Sequence, residues 1–334
     1  MRTGTGRGPP WCSTAPPCGD PPCWTQLGEL RDSFDKFEAA GIKVYAISYD
    51  DQEVLAEYAE KQGILFPLLS DLDSEVIRRY GILNIQIKPE DGFFYGIPYP
   101  GVFVTDGDGT VVAKFFHDTY KKRDSAEVII DAALGRVQVA EDAPRAAAAP
   151  EEGIKVSAAI QGGSGSLRQG IVRHVVVRFE LPEGLHIYGE PLPDGMVATT
   201  VSVNGPPGLV AEAPILPPTD SLILKGTDVE LQVWSGTVDI RVPIYPIGEL
   251  VSEVRPLDHD SVPVEVAVRY QACDDTTCLL PKSETLVLDL QLEPTDVPAI
   301  AVHMGHGQRE GDYDGTRYFK RLLKRKGDSG RKTI

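Results

Sequence analysis

Three cysteines stand where sulfur does chemistry. Cys23 follows Pro21-Pro22 and immediately precedes an amphipathic run that opens Trp24-Thr25-Gln26-Leu27. A thiol at the start of a helix faces unpaired backbone N–H groups and the positive end of the helix dipole. Both favour the thiolate, the form that attacks disulfides and peroxides. The alternative is a buried structural cysteine. Cys273 and Cys278 lie in Tyr270-Gln271-Ala272-Cys273-Asp274-Asp275-Thr276-Thr277-Cys278-Leu279-Leu280-Pro281, at the end of a strand-type run and separated by four polar residues. That spacing suits a small exposed disulfide loop on a hairpin, with Cα atoms about 4.4–6.8 Å apart. Short loops of this kind tend to be reducible rather than permanent, although a structural disulfide has the same spacing. A metal site would need two further ligands, and no second pair sits nearby. His303 and His306, in a Gly-rich segment, read as loop residues rather than ligands, and Cys12 and Cys18 fall in a Pro-rich stretch with no strand pattern. Five cysteines in 334 residues are too few for a disulfide scaffold, so chemistry is the better account of them.

The elements that must hold these residues divide the chain. Residues 23–138 alternate helix and strand signals. Trp24 to Ala39 carries Leu27, Leu30, Phe34 and Phe37 at helical spacing and meets a stop at Gly41. Ile42 to Ser48 reads as a buried strand, Gln52 to Gln62 as a helix ended by Gly63, and Asp73 to Tyr80 as a short helix. Gly101 to Thr105 and Thr110 to Phe116 form a hairpin across Asp106-Gly107-Asp108-Gly109, and Asp124 to Leu134 closes the unit as a helix. This order predicts an α/β domain with helices on a small sheet. Residues 139–151 read as a linker, rich in Ala, Pro and Glu. Beyond them the period changes to two. Val172 to Phe179, Val197 to Val203, Val229 to Val233, Val238 to Val242, Val262 to Tyr270 and Thr285 to Leu292 predict a β-sandwich over 152–293. Residues 294–334 form a tail, with a basic amphipathic helix expected over Asp314 to Lys326.

Composition limits the function. Hydrophobic content of 42% and charged content of 25% are those of a globular protein. A formal charge of −16 argues against nucleic-acid binding, because phosphate contacts need clustered Lys and Arg. Arg317 to Lys332 carries eight basic residues against one acidic, which we read as a solvated helix face rather than a contact for an anionic surface. No apolar run approaches the ~20 residues needed to cross a bilayer. Residues 1–22 are irregular and lack the apolar core of a secretory signal. A cytoplasmic location is the default expectation, with a periplasmic one left open by that N-terminus. Neither a cofactor nor a metal is expected.

Residues 23–138 resemble the alkyl hydroperoxide reductase/thiol-specific antioxidant (AhpC/TSA) branch of the thioredoxin superfamily. The matching residues are Cys23-x-x-Gln26-Leu27, Val44-Tyr45-Ala46-Ile47-Ser48, Phe66-Pro67-Leu68-Leu69-Ser70-Asp71, Tyr80-Gly81-Ile82 and Pro100-Gly101-Val102-Phe103-Val104-Thr105-Asp106-x-Asp108-Gly109. The resemblance implies a thioredoxin-like fold with Cys23 as the reactive cysteine. It also implies that Pro100 is a cis-proline packed against Cys23, where backbone at Tyr99 and Pro100 can pair with substrate. One departure is marked. Asp20 stands where the family carries a second cysteine or a threonine. A carboxylate there opposes the thiolate and cannot resolve a mixed disulfide. Residues 152–293 resemble the amino-terminal immunoglobulin-like domain of the DsbD family of transmembrane disulfide reductases, the specific part being Tyr-Gln-x-Cys…Cys-x-x-Pro. That resemblance implies that Cys273 and Cys278 pass electrons to a partner thiol protein. The family's membrane domain has no counterpart in this sequence.

Together these readings predict a thiol–disulfide oxidoreductase with two redox centres, acting on a protein or small thiol substrate. The alternatives are a peroxiredoxin-like peroxidase using Cys23 on peroxide, and a non-catalytic β-module that binds a partner and keeps a structural disulfide. The first family needs a buried strand just before the reactive cysteine, whereas Pro9 to Cys18 holds four prolines. Reading the last base of each codon with the first two of the next can turn Pro9 to Gly19 into a buried strand. Removing one base at Asp20 then yields Cys-Pro-Pro-Cys ending at Cys23. We therefore expect residues up to about Asp20 to be out of frame, the first domain to lack its central strand, the N-terminus to be disordered and the chain to be a poor catalyst.

Overall fold

The computed structural model describes residues 11–13, 21–90, 95–162, 165–223, 228–251, 260–274 and 276–293. The expected C-terminal helix, His303, His306, Cys18 and Asp20 lie outside them. The chain divides into two compact units, the first running to Gln138 and taking in Gln169–Val172, the second holding the remainder.

The first unit contains β1 (Trp11–Ser13), α1 (Pro21–Asp32), α2 (Phe34–Ala39), β2 (Tyr45–Ser48), α3 (Gln52–Gln62), β3 (Leu68–Ser70), α4 (Glu75–Arg79), β4 (Gly101–Thr105), β5 (Val111–Phe116), β6 (Arg123–Asp124) and α5 (Ala126–Leu134). Five strands form one sheet in the order β3-β2-β1-β4-β5, parallel across β3, β2 and β1 and antiparallel from β1 to β4 and β5. Its core joins Leu27 and Leu30 of α1, Phe37 of α2, Val102 and Val104 of β4, and Ile129 and Ile130 of α5. This is the α/β arrangement that the alternation of signals predicts.

Three local expectations need correction. The first domain does have its central strand: Trp11–Ser13 lies between β2 and β4, with Trp11 opposite both Tyr45 and Phe103. The prolines flank this segment at positions 9, 10, 16 and 17, so the three strand residues, none of them proline, keep every N–H the ladder needs. The helix expected over Trp24 to Ala39 is two helices. Ser33 breaks it with φ −109° and ψ 12°, the kind of residue that favours caps over helix interiors. Gly41 ends the second helix as expected, at φ +68°, with Ile42 N–H donating to the Phe37 carbonyl at 2.8 Å. Third, the linker segment is not irregular throughout, because Arg145–Ala147 (β7) pairs antiparallel with the next strand.

The second unit continues with β8 (Lys155–Gln161), β9 (Ser166–Arg168), β10 (Ile171–Glu180), β11 (His186–Tyr188), β12 (Thr200–Asn204), β13 (Leu209–Ala211), β14 (Asp220–Ile223), β15 (Glu230–Ser235), β16 (Thr237–Pro246), β17 (Ser261–Tyr270), β18 (Ala272–Cys273) and β19 (Lys282–Glu293). Three sheets result: β13-β16-β10-β8-β7, β12-β17-β19-β9 and β14-β15-β11-β18. In β17 and β19 buried and exposed residues alternate, the signature of a strand with one wet face. A single apolar cluster takes Val175, Val177 and Ile240 from the first sheet and Val264, Val266, Leu288 and Leu290 from the second. No described helix is long and apolar enough to cross a membrane.

At the C-terminal ends of β2 and β3, Ser48 Oγ donates to the Asp50 carboxylate and Ser70 Oγ donates to the Asp50 carbonyl at 2.6 Å. Burial pushes the Asp50 carboxyl above its ordinary value, and the Ser48 hydrogen bond opposes that only in part. An acid raised in the folded state is less stable ionised there than in the unfolded chain. Asp50→Asn is therefore expected to be more stable than the parent at neutral pH. The advantage should vanish as pH falls below about 4, the ordinary carboxylate value. Urea denaturation midpoints across that range check both the gain and its disappearance.

Candidate functional site

Cys23 is the third residue of α1, within the first turn as the sequence predicts, and is buried at 4% exposure. Trp24 beside it is exposed, and Gln26, one turn on, is buried. The residue that addresses its sulfur comes from 100 positions away. Arg123 Nη2 donates to Cys23 Sγ at 3.5 Å, while Arg123 Nη1 donates to the carbonyls of Tyr120 and, at 2.8 Å, Lys122. Arg123 is itself buried and is held in β6, whose backbone pairs with Ile171 and Val172 of the same unit. A guanidinium in a buried setting stabilises negative charge on the sulfur more than it would in water. Tyr58 of α3 also senses this group: burial, and secondarily charge on Cys23, pushes its phenol up to about 12, against the weaker opposing pull of Arg31. Neither Arg123 nor Tyr58 is legible in the sequence. The run Lys121-Lys122-Arg123-Asp124 reads as a charged surface segment, and nothing in its spacing ties it to Cys23.

Pro100 immediately precedes β4, and Gly101 is in register with Ser13 at the end of β1 from which the chain leads to α1. The Tyr99–Pro100 bond is trans, against the expectation of a cis-proline; among the described residues the cis bond is Glu190–Pro191. Trans is the ordinary state even before proline, and the cis assignment had no local signal to carry it. Tyr99 is engaged through its backbone, its N–H donating to the Ile82 carbonyl at 2.6 Å.

In the second unit Cys273 and Cys278 are disulfide-bonded, with Cα atoms 4.0 Å apart, closer than the expected range. The reason is their pairing. Leu279 N–H donates to the Ala272 carbonyl and Asp274 N–H to the Thr277 carbonyl, each at 2.9 Å, so the cysteines face each other between these bonds. They form a non-hydrogen-bonded cross-strand pair, the arrangement with the shorter Cα separation. The tip is tied by Asp274, whose carboxylate accepts from Thr276 N–H and Thr277 N–H, both at 2.6 Å. Those bonds, led by Thr276, hold its carboxyl below the usual value, with a smaller contribution from charge on His186. The hairpin is exposed on one side only: Cys278 faces solvent, whereas Cys273 is 1% exposed.

Two further residues reach this pair. β18 joins the sheet through β11, which sets His186 opposite Cys273 and Ile187 opposite Ala272. Tyr188 hydroxyl lies 3.9 Å from Cys278 Sγ and 3.1 Å from His186 Nε2, and both residues are buried. Gln271, from the Tyr-Gln-x-Cys motif, donates from Nε2 to the Leu279 carbonyl and accepts at Oε1 from Val197 N–H, both at 3.1 Å. His186-Ile187-Tyr188 carried no signal in the sequence beyond β-type alternation. Among the described residues no three His, Cys, Asp or Glu side chains group as metal ligands do.

Comparison with known proteins supports the first unit. The AhpC/TSA family profile matches residues 16–114. Peroxiredoxin Bcp of Escherichia coli K12 is 33% identical over 115 residues, covering 33% of this chain and 69% of that protein. The chloroplastic peroxiredoxin Q of Gentiana triflora is 35% identical over 91 residues, 27% of this chain and 39% of that protein. The crystal structure of peroxidoxin BcpB from Mycobacterium tuberculosis aligns with 38% of this chain and 76% of its own at 24% identity and a TM-score of 0.30, a score too low to build on.

Arg123 is the side chain whose loss should register at Cys23. Arg123→Gln is expected to slow carboxamidomethylation of Cys23 at neutral pH by about tenfold, the effect of a one-unit rise in a thiol pKa. Peptide-resolved mass spectrometry reads that rate, and an unchanged rate would mean that the guanidinium does not serve the sulfur.

Proposed function

The chain belongs to the AhpC/TSA family through its first unit, and from that premise we propose that it is a thiol–disulfide oxidoreductase with two redox centres, Cys23 and Cys273–Cys278. The observation that carries the second centre is the asymmetry of the disulfide, with Cys278 an exposed residue and Cys273 buried in the sheet. An incoming thiolate can reach only Cys278. It bonds to Cys278 Sγ, the bond to Cys273 breaks, and the electron pair leaves on Cys273 sulfur. The donor's second thiolate then attacks its own partner sulfur and releases Cys278 as thiolate. Two electrons and two protons pass to the pair, and the same steps reversed deliver them to an oxidised Cys23 or to a substrate disulfide.

Three features support reading this unit as a DsbD-like immunoglobulin-like domain. Its strands are mostly antiparallel, one core is shared between two sheets, and Gln271, Cys273, Cys278 and Pro281 occupy one hairpin region. Peroxide reduction by Cys23 is the second reading, favoured by the relatives' peroxiredoxin names and by the arginine at its sulfur. In that reading the Cys23 thiolate takes one peroxide oxygen as the O–O bond breaks, becomes a sulfenate, and the peroxide's own proton leaves with the other oxygen as water or an alcohol.

The reductant used to test these readings can be a dithiol such as dithiothreitol, with glutathione disulfide as acceptor. Cys273→Ser and Cys278→Ser are each expected to abolish transfer through the second centre while Cys23 keeps its direct reactivity. Turnover equal to the parent in both variants would make the disulfide structural. Hydrogen peroxide consumption that depends on Cys23 alone would favour the peroxidase.

A further inference from the structure

We infer that the Tyr188 hydroxyl, held by His186, is the proton donor and acceptor for the Cys278 sulfur. This inference rests on the two-centre reading and gives it a mechanism. Each passage of electrons leaves Cys278 first as a leaving thiolate and later as an attacking one, so its sulfur must gain a proton and then lose it. The Tyr188 hydroxyl is 3.9 Å from that sulfur, within reach of a hydrogen bond to sulfur, and 3.1 Å from His186 Nε2. When the donor's second thiolate releases Cys278, the electron pair comes to rest on Cys278 Sγ. The Tyr188 O–H gives its proton to that sulfur, and the protonated imidazole refills the hydroxyl from Nε2. In the opposite direction the Cys278 S–H gives its proton to the Tyr188 oxygen as Tyr188 gives its own to His186. The thiolate so formed attacks the acceptor disulfide. Protons are conserved in both directions, and no further reactant is required.

The surroundings suit that task. Burial raises the Tyr188 phenol above its ordinary value, so the residue stays neutral and passes protons rather than holding a charge. Its apolar neighbours are Leu231, Val233 and Cys273, with Leu192, Met196 and Leu222 against them. His186 is set by the sheet opposite Cys273 on one side and Ser235 on the other, neither carrying a fixed charge. Asp274 on the hairpin tip is a charged group near His186, and charge on His186 is a minor cause of its lowered carboxyl. Tyr188 touches the reacting sulfur. His186 acts through it and is a positioning residue.

The test uses the full chain reduced with dithiothreitol, freed of reductant and treated with iodoacetamide between about pH 5 and pH 9, a range that spans the ordinary imidazole and thiol values. Peptide-resolved mass spectrometry follows Cys278 and Cys273 separately. Tyr188→Phe removes one oxygen and keeps the ring; His186→Gln keeps a hydrogen-bonding group and removes the titration. Both variants are expected to move the midpoint of the Cys278 pH profile upward, slowing its labelling at neutral pH by about tenfold, equivalent to one pKa unit. The Cys23 profile should stay in place. A general loosening of the domain would instead expose Cys273 to rapid labelling; if His186→Gln does so, Tyr188→Phe decides. Cys278 profiles that superimpose on the parent's overturn this inference alone. Failure of the parent disulfide to reduce overturns the two-centre reading and this inference with it.

Discussion

The geometry of the second unit's disulfide depends on a two-residue ladder, β11 against β18, that seats one cysteine inside a sheet and leaves its partner outside. Because β18 is only Ala272 and Cys273, the chain turns back at once, and Cys278 must come down directly opposite Cys273. A cross-strand pair between hydrogen-bonded neighbours has side chains on one face and close Cα atoms, which is what a disulfide over so short a loop requires. The same ladder brings β11 alongside, and alternation along β11 then puts His186 and Tyr188 on one face, with Ile187 turned to the other. Register by itself therefore assembles sulfur, hydroxyl and imidazole.

The first unit solves a different problem. Its cysteine is buried, so reactivity depends on what accompanies it into the interior. The start of α1 supplies backbone N–H groups, and β6 supplies a buried guanidinium. Burying a cation is costly, and Arg123 offsets part of that cost through Nη1 to two backbone carbonyls of its own loop and through Nη2 to sulfur, while its Nε is buried without a hydrogen bond among the described residues. The arginine is thus fixed by its own turn before it meets the thiol, which keeps the charge aimed at one atom.

In the proposed two-centre reading, the two cysteine sites complement each other chemically. A thiol under an arginine is suited to attacking an electrophilic sulfur or oxygen. A disulfide with one open sulfur is suited to receiving a thiolate and handing electrons on. In that reading, a separate dithiol on the same chain would supply what Asp20, where the family places its second thiol or a threonine, cannot.

Much of this protein is legible in the sequence, and the legible parts share a cause. Gly41, Gly63 and the Asp106–Gly109 turn act on their immediate neighbours, so their types alone determine the stops and hairpin found in the structure. Period-two alternation in Val262–Tyr270 and Thr285–Leu292 likewise determines β17 and β19, because one face of each is buried and the other wet. The spacing of Cys273 and Cys278 determines their pairing. What the sequence does not determine depends on partners far along the chain. Trp11–Ser13 is a strand because β2 and β4 supply ladders on both sides, which outweigh the flanking prolines. The trans bond at Pro100, the arginine 100 positions from Cys23 and the histidine and tyrosine beside the disulfide likewise leave no local pattern. Backbone turns are written in neighbouring residues; sites built from separate segments of the chain exist only once hydrogen-bonded register has brought those segments together.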